Sequence, residues 1–264
     1  MPSVSNIAVG ALVAGSAASK ARHGMNESIA RLSTGMRSMY GGDAAGQSVA
    51  NTLEARSKSW AVAARNAEDG ISAAQTAESA LLEVAALAQR LRELGIQNDN
   101  SDLLVAASDV AALDAEAAAL FDQIDLIIET CTFNGVNLLA SSDVSLSIGV
   151  TDGGGTLTLT TAKAMTAVDS YAKATAADVT ADTTLQEVAI SLGHIAAGIS
   201  ALKARQAVAY SASANLAAAA SRIEDTDFAK ETANLAKNSV LNQAAMAMVA
   251  QANQAQSAIL AVLQ

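Results

Sequence analysis

Apolar and small side chains recur along this chain at alternating steps of four and three residues, the spacing that lays a continuous stripe down one side of a helix. The last such stripe reads Leu241, Ala245, Met248, Ala252, Ala255, Ile259 and Val262. The first reads Ile7, Ala11, Ala14, Ala18, Ala21, Met25, Ser28 and Leu32, apolar throughout except at Ser28. A stripe with an average period of 3.5 asks for a partner helix, because two slightly underwound helices keep such stripes facing each other over many turns. Both stripes are rich in Ala, and even a fully buried Leu, Ile or Met contributes only roughly 1.5–3 kcal/mol. Each terminal helix is therefore expected to order only against something else. Complementary helices at opposite ends predict a long antiparallel pair.

The same period continues between the ends. Tyr40-Gly41-Gly42-Asp43-Ala44-Ala45-Gly46 reads as a hinge, with Asp43 as the N-cap of the next helix. That helix carries Val49, Leu53, Arg56, Trp60, Ala63, Ala67, Gly70, Ala74, Ala77, Leu81, Val84, Ala88 and Leu91, a stripe broken only by Arg56. From Asp43 to Asn98 it would be roughly 80 Å long at ~1.5 Å per residue. Asn98 to Asp102 is a polar turn, with Ser101 or Asp102 capping a second helix that shows Ala106, Val110, Leu113, Ala117, Leu120, Ile124 and Ile127 and ends near Thr130. Asn134-Gly135 is the strong turn dipeptide of the chain.

From Val144 to Thr161 the period drops to two. Val144, Leu146, Ile148 and Val150 alternate with polar or small residues, then Leu157 and Leu159 do so beyond a Gly-rich turn, which predicts a β-hairpin. The Ala-, Thr- and Asp-rich stretch that follows is expected to be irregular or partly extended as far as Thr184. A third long stripe runs Leu185, Val188, Leu192, Ile195, Ile199, Leu202, Gln206, Ala209, Ser213, Leu216, Ala220, Ile223. Charges cluster between Arg222 and Glu231 and the stripe slips in phase, which predicts a bend. Asn234 and Asn238 occupy stripe positions just before Leu241; either they fix helix register, as polar seam residues do, or the stripe simply begins at Leu241. The expected fold is mainly α: a long antiparallel helical bundle or coiled coil built from both chain ends, with a small β-hairpin region near 144–161. Residues 1–42 with 228–264 form the expected terminal coiled-coil domain, and 43–227 a helical rod domain.

Composition agrees with long, thinly packed helices: the chain is 51% hydrophobic but only 3% aromatic, with one Pro. A net charge of −10 gives no electrostatic grip on nucleic acid or an anionic membrane. The single cysteine, Cys131, excludes an intramolecular disulfide and a cysteine-built zinc site, and its place at the end of a helical stripe reads as a buried small residue. His23 and His194 lie far apart without an obvious acidic neighbour and read as helix-surface or packing residues. No residue set calls for a cofactor or a metal, and Gly153-Gly154-Gly155 lacks the Lys and helix start of a phosphate loop. Ile7 to Ala18 is apolar enough to pass for the core of a signal peptide, yet the first basic residue is Lys20, behind it and not ahead of it. No other segment reads as a bilayer span; if the chain is exported, a cleaved signal is not the expected route.

Several stretches spell a family. Arg31-Leu32-Ser33-Thr34-Gly35, Asp43-Ala44-Ala45-Gly46, Arg65-Asn66-Ala67-Glu68-Asp69-Gly70-Ile71-Ser72, Gln75-Thr76-Ala77-Glu78, Gln89-Arg90-Leu91-Arg92-Glu93-Leu94 and Thr132-Phe133-Asn134-Gly135 resemble the N-terminal conserved block of flagellin. Ser221-Arg222-Ile223-Glu224-Asp225 and Ala250-Gln251-Ala252-Asn253-Gln254 resemble its C-terminal block. Each string is weak alone, and their collinearity at both ends makes the match. The chain departs from the pattern at Val9 to Gly15, where Gly10 and Gly15 weaken a helix by roughly 1 kcal/mol each relative to Ala. It departs again at Gly42, where the family commonly has Asp, and at Gln256, where Pro is common.

The resemblance implies a subunit of the bacterial flagellar filament, a structural polymer and not an enzyme, reduced to the family's two inner domains. It implies an extracellular product exported through the flagellar type III channel, whose partners are other copies of itself and the cap, junction and export-chaperone proteins. The assembly seam is then expected at Ile7, Met25, Leu32, Leu241, Met248, Ile259 and Val262. The same resemblance implies a patch for an innate immune receptor at Gln89, Arg90, Glu93, Leu94 and Glu116, residues whose primary reading is as subunit contacts or solvated charges. The alternative function is a hook–filament junction protein, which shares the terminal helices but normally has a longer middle. A chemoreceptor-like bundle would need a membrane span.

Overall fold

The computed structural model describes residues 2–37, 43–100, 103, 107–163 and 174–263, the side chains of 2–8, 175, 259, 260, 262 and 263 excepted. Among the described residues there are five helices, α1 (Pro2–Thr34), α2 (Ala44–Asn98), α3 (Ala107–Thr130), α4 (Ala177–Glu224) and α5 (Phe228–Leu263). Two short ladders stand between α3 and α4: β1 (Thr132–Phe133) with β2 (Val136–Asn137), and β3 (Val144–Gly149) with β4 (Thr156–Ala162). The fold is mainly α with small hairpins. Hinge residues Tyr40, Gly41 and Gly42, the proposed caps Ser101 and Asp102, and Ala106 lie outside the described residues.

The residues form two compact units, 1–55 with 216–264, and 56–215. In the first, α1 and α5 pack along one another. The helix α1 ends where the sequence lets it: Gly35, at φ 74°, donates its N–H to Arg31 O at 2.8 Å, a left-handed cap that glycine adopts without strain. Asp43 caps α2, its carboxylate accepting from Gly46 N–H at 2.8 Å. Asp227 caps α5 by accepting from the N–H groups of Ala229 and Lys230 at 3.0 and 3.1 Å.

In the second unit, the α2 stripe lies inside from Ala63 to Leu91, as its spacing predicts. At the start of this unit the buried set sits one position on, at Ser57, leaving Arg56 outside; in the first unit likewise Ala50 is buried and Val49 exposed. Arg56 pairs with Asp152 at 2.7 Å and Ser57 donates to Ser213 O at 2.9 Å. Val188, Ile195, Leu202 and Ala209 of α4 and Leu113, Ala117, Phe121, Ile124 and Ile128 of α3 are buried. Leu146 pairs with Leu159 and Ile148 with Leu157, so one face of the β3–β4 hairpin is apolar and closes the core. Gly70 and Gly198 are its seats: a Cβ on Gly70 would meet Ile148, and one on Gly198 would meet Leu159. Asn134 and Gly135 both take positive φ, 50° and 78°, the two-residue turn of a tight hairpin.

Two expectations are corrected. Residues 177–184 are helical, not irregular: α4 starts at Ala177, preceded by a 3-10 turn at Ala174–Ala176. Asp114 accepts from the N–H of Ala174 at 2.7 Å, and Ala174, Ala177 and Ala181 are buried in one cluster with Leu91, Leu94 and Phe121. Packing thus overrides the low helix preference of the threonines, whose hydroxyls at Thr180, Thr183 and Thr184 turn back to carbonyls one turn earlier. Second, α4 is by length and composition apolar enough to cross a membrane; its alanines raise its hydropathy, while Val188, Ile195 and Leu202 line the core.

Candidate assembly surface

The pairing of α1 with α5 inverts the usual distribution of side chains. On α1, the side turned to α5 carries small residues: Ala18 and Ala21 are 4% and 5% exposed and Ser28 2%, with Ala11, Ala14, Gly24, Met25 and Leu32 half-buried around them. Among the described side chains of α5 the buried or half-buried positions are Glu231, Asn234, Leu235, Asn238, Ser239, Asn242, Ala245, Val249, Ala252, Ala255 and Gln256. Six of these are polar. Small α1 side chains let the backbones approach, and α5 fills the gap with amides and one carboxylate.

Large apolar side chains point outward instead. Val9, Leu12, Val13 and Ile29 of α1 are each at least half exposed, and so are Phe228, Val240, Met246 and Met248 of α5, with Leu241 close behind. Each would contribute roughly 1.5–3 kcal/mol if fully buried. Exposed large apolar side chains in this number are a feature of interaction surfaces.

Met25 and Leu32 therefore sit half-buried at the α1–α5 contact, whereas Leu241 and Met248 face away from it. The side chains of Ile7, Ile259 and Val262 lie outside the described residues. Among the described side chains of the four-three walk from Leu241, only the alanines lie on the buried side, together with the two stripe positions ahead of it, Asn234 and Asn238. Val9, Leu12, Val13, Ile29, Phe228, Val240 and Met246 were missed; their signal was apolar character off the stripe.

The connectors at one end of this pair are tied together. Met36 bridges Asp225 as in an antiparallel ladder, Thr226 donates its N–H to Gly35 O at 2.8 Å, and Arg37 donates its N–H to Glu224 O at 2.7 Å. Arg37 also donates from Nε to Ile223 O at 3.1 Å and pairs with Asp43 at 2.8 Å. The Gly46 N–H, and after it the Arg37 guanidinium, hold the Asp43 carboxyl below its ordinary value.

In the second unit, Arg90 reaches Glu116 on α3 at 2.7 Å and Glu93 one turn on at 3.0 Å, all three exposed. The two carboxylates, Glu116 foremost, raise the Arg90 pKa further. Gln89 is exposed beside them. Leu94 does not belong to this surface: it is fully buried, packed with Leu91, Ala117 and Phe121, because it continues the inward stripe three residues after Leu91. Tyr210 donates to Glu68 at 2.6 Å, which raises its pKa, and Gln206 donates to the same oxygen at 2.7 Å. Burial pushes the half-buried Cys131 thiol up, away from reactivity. His23, read as lacking an acidic neighbour, has Glu27 at 3.4 Å one turn along an exposed helix face. Among the described residues no group of three His, Cys, Asp or Glu side chains is placed to hold a metal.

Comparison with known proteins matches residues 6–144 to the bacterial flagellin N-terminal helical region and residues 175–263 to the bacterial flagellin C-terminal helical region. Among the relatives, a flagellin of Halalkalibacterium halodurans is 36% identical over 90% of this chain and 91% of its own length. A flagellin of Bacillus subtilis is 32% identical over 90% of this chain and 92% of its own. A crystal structure of Bacillus cereus flagellin superposes with a TM-score of 0.45 at 26% identity, over 59% of this chain and 94% of that one.

Proposed function

The chain belongs to the flagellin family, and on that premise we propose how its terminal pair builds the polymer. As a flagellin it is a structural subunit, not an enzyme; it polymerises with other copies of itself into the extracellular filament of the bacterial flagellum, which serves motility. The proposal is that residues 1–42 and 228–264 act as the assembly domain, that their ends order on joining the filament, and that the outward apolar residues are covered by neighbouring copies. The inverted α1–α5 pair carries this reading: Leu12 is 75% and Met248 62% exposed while Asn238 and Asn242 are turned inward. An apolar surface left bare in one chain and buried between chains links folding to assembly. Contacts that repeat head-to-tail without closing generate a helix of subunits.

Ile7, Met25, Leu32, Leu241, Met248, Ile259 and Val262 remain the proposed seam, joined by Val9, Leu12, Val13, Val240 and Met246. Chains lacking residues 241–264 should fail to add to seeds in sedimentation and negative-stain microscopy; elongation by the truncated chain would refute the reading.

The finer partners are part of the same proposal: passage through the flagellar type III channel without a cleaved signal, and contacts with cap, junction and export-chaperone proteins. An innate immune receptor is proposed to read Gln89, Arg90, Glu93 and Glu116. Support for this patch is the exposed Arg90–Glu116 pair, which presents a fixed charge pattern across two helices. Receptor activation unchanged by Arg90→Ala would remove it.

A further inference from the structure

A helix face lined by alanines, as that of α1 is, specifies register poorly, because one Ala offers a partner helix much the same knob as the next. In the α1–α5 pair two contacts break that degeneracy. The carboxamide of Asn238 lies over Gly24, where a Cβ would stand 2.7 Å from Nδ2 and 3.1 Å from Cγ. The other α1 glycines, Gly10 and Gly15, have nothing within 4 Å of the same position. Gly24 is thus the one α1 glycine whose bare backbone is occupied by the partner helix.

The second contact is ionic. Glu231 is 6% exposed, and Arg31 approaches its Oε1 to 3.7 Å while Asn234 donates to its Oε2 at 3.4 Å. A carboxylate so placed must find its counter-charge or pay a desolvation cost of several kcal/mol. From Gly24 to Arg31 is one heptad, and from Glu231 to Asn238 is one heptad. Both contacts therefore record a single antiparallel register.

We infer that Asn238 seated on Gly24, with the Arg31–Glu231 pair one heptad away, is the register lock of the terminal helices and so sets which outward residues a subunit presents to its neighbours. Asn238 is a positioning residue for polymerisation. A single buried polar residue at a seam position of a coiled coil acts in this way, choosing one register at some cost in stability. The inference rests on the polymer reading above, because its consequence is a filament lattice.

The test compares four chains, wild type, Gly24→Val, Asn238→Ala and the double variant, for the concentration at which seeded filaments form and for the lattice seen by electron microscopy. Gly24→Val puts a branched side chain into the occupied seat. Since Val is a better helix former than Gly, any loss comes from the clash. The required concentration should rise about tenfold, equivalent to about 1.4 kcal/mol. Adding Asn238→Ala should bring it back toward wild type, and Asn238→Ala alone should polymerise readily but give more than one lattice. If Gly24→Val assembles like wild type, if the double variant is no better than the single, or if Asn238→Ala keeps one unaltered lattice, the lock is wrong. Absence of filaments from the wild type would overturn the polymer reading itself and the lock with it.

Discussion

Arg37 donates from Nε to the main-chain carbonyl of Ile223 at 3.1 Å, tying the segment after α1 to the last turn of α4 across 186 residues of sequence. The same guanidinium pairs with Asp43, the cap of α2. One side chain thus serves the ends of two helices and the entry to a third, while the bridge between Met36 and Asp225 aligns the two connectors.

Removing that side chain should loosen the connectors without unfolding the helices. In Arg37→Ala, amide exchange at position 37 and at Thr226, whose N–H groups bond across the connectors, should accelerate several-fold, with exchange in the middle of α2 unchanged. Both Arg37 and Asp43 are more than a third exposed, so the effect is local and global stability should move little. Unchanged exchange at both amides would show that the backbone bridge suffices.

The cap at Asp43 should be sensitive to acid. A carboxyl held below its ordinary value in the fold contributes stability above its unfolded value and loses it as pH falls through the folded one. Asp43 is held down from 3.8 chiefly by the Gly46 N–H. The start of α2 should therefore fray only as pH drops below about 3.8, read as faster exchange at Gly46 and Gln47. Asp43→Asn keeps an acceptor at the N-cap and should abolish that acid dependence; fraying that persists in the Asn variant would assign it elsewhere.

The glycine seats of the hairpin make a sharper demand. In an exposed helix Gly→Ala stabilises by roughly 0.5–1 kcal/mol. Here the added methyl meets Ile148 at position 70 or Leu159 at position 198, and Leu159 is fully buried. Overpacking of this kind costs roughly 1–3 kcal/mol. Gly70→Ala and Gly198→Ala are each expected to lower the urea midpoint, and a raised midpoint would mean that the hairpin moves aside freely.

Asn242 offers the opposite sign. Its Oδ1 is buried and has no hydrogen-bond partner among the described residues. Replacing an unsatisfied buried acceptor by an apolar side chain of similar size recovers roughly 1–3 kcal/mol, so Asn242→Leu should raise the temperature at which filaments dissolve. A lower temperature would show that the amide finds its partner in a neighbouring copy.

Much of this architecture was legible in the sequence because helix periodicity and caps are local. Asp43, the slip near Arg222, the Asn134-Gly135 turn and the stripes of α1 and α4 all report on residues within a few positions of themselves. What escaped depends on distant partners. Residues 177–184 become helical because Ala177 and Ala181 are buried with Leu91 and Phe121, which no local propensity encodes. Leu94 is inside because its helix turns it there, although its motif looked like surface. On α5 the stripe positions Asn234 and Asn238 do turn inward, Asn238 over Gly24; what escaped is that Asn242 follows them while Leu241 and Met248 stay exposed.

Whether copies of this chain cover Leu241 and Met248 is decided by seeded polymerisation of Leu241→Glu/Met248→Glu. Both side chains are exposed in the single chain, so the variant should match the wild type in helix content and urea midpoint. It should nevertheless fail to elongate wild-type seeds at concentrations where the wild type does so fully. Normal elongation by the charged variant would contradict the claim that copies of this chain cover the outward face of its terminal helices.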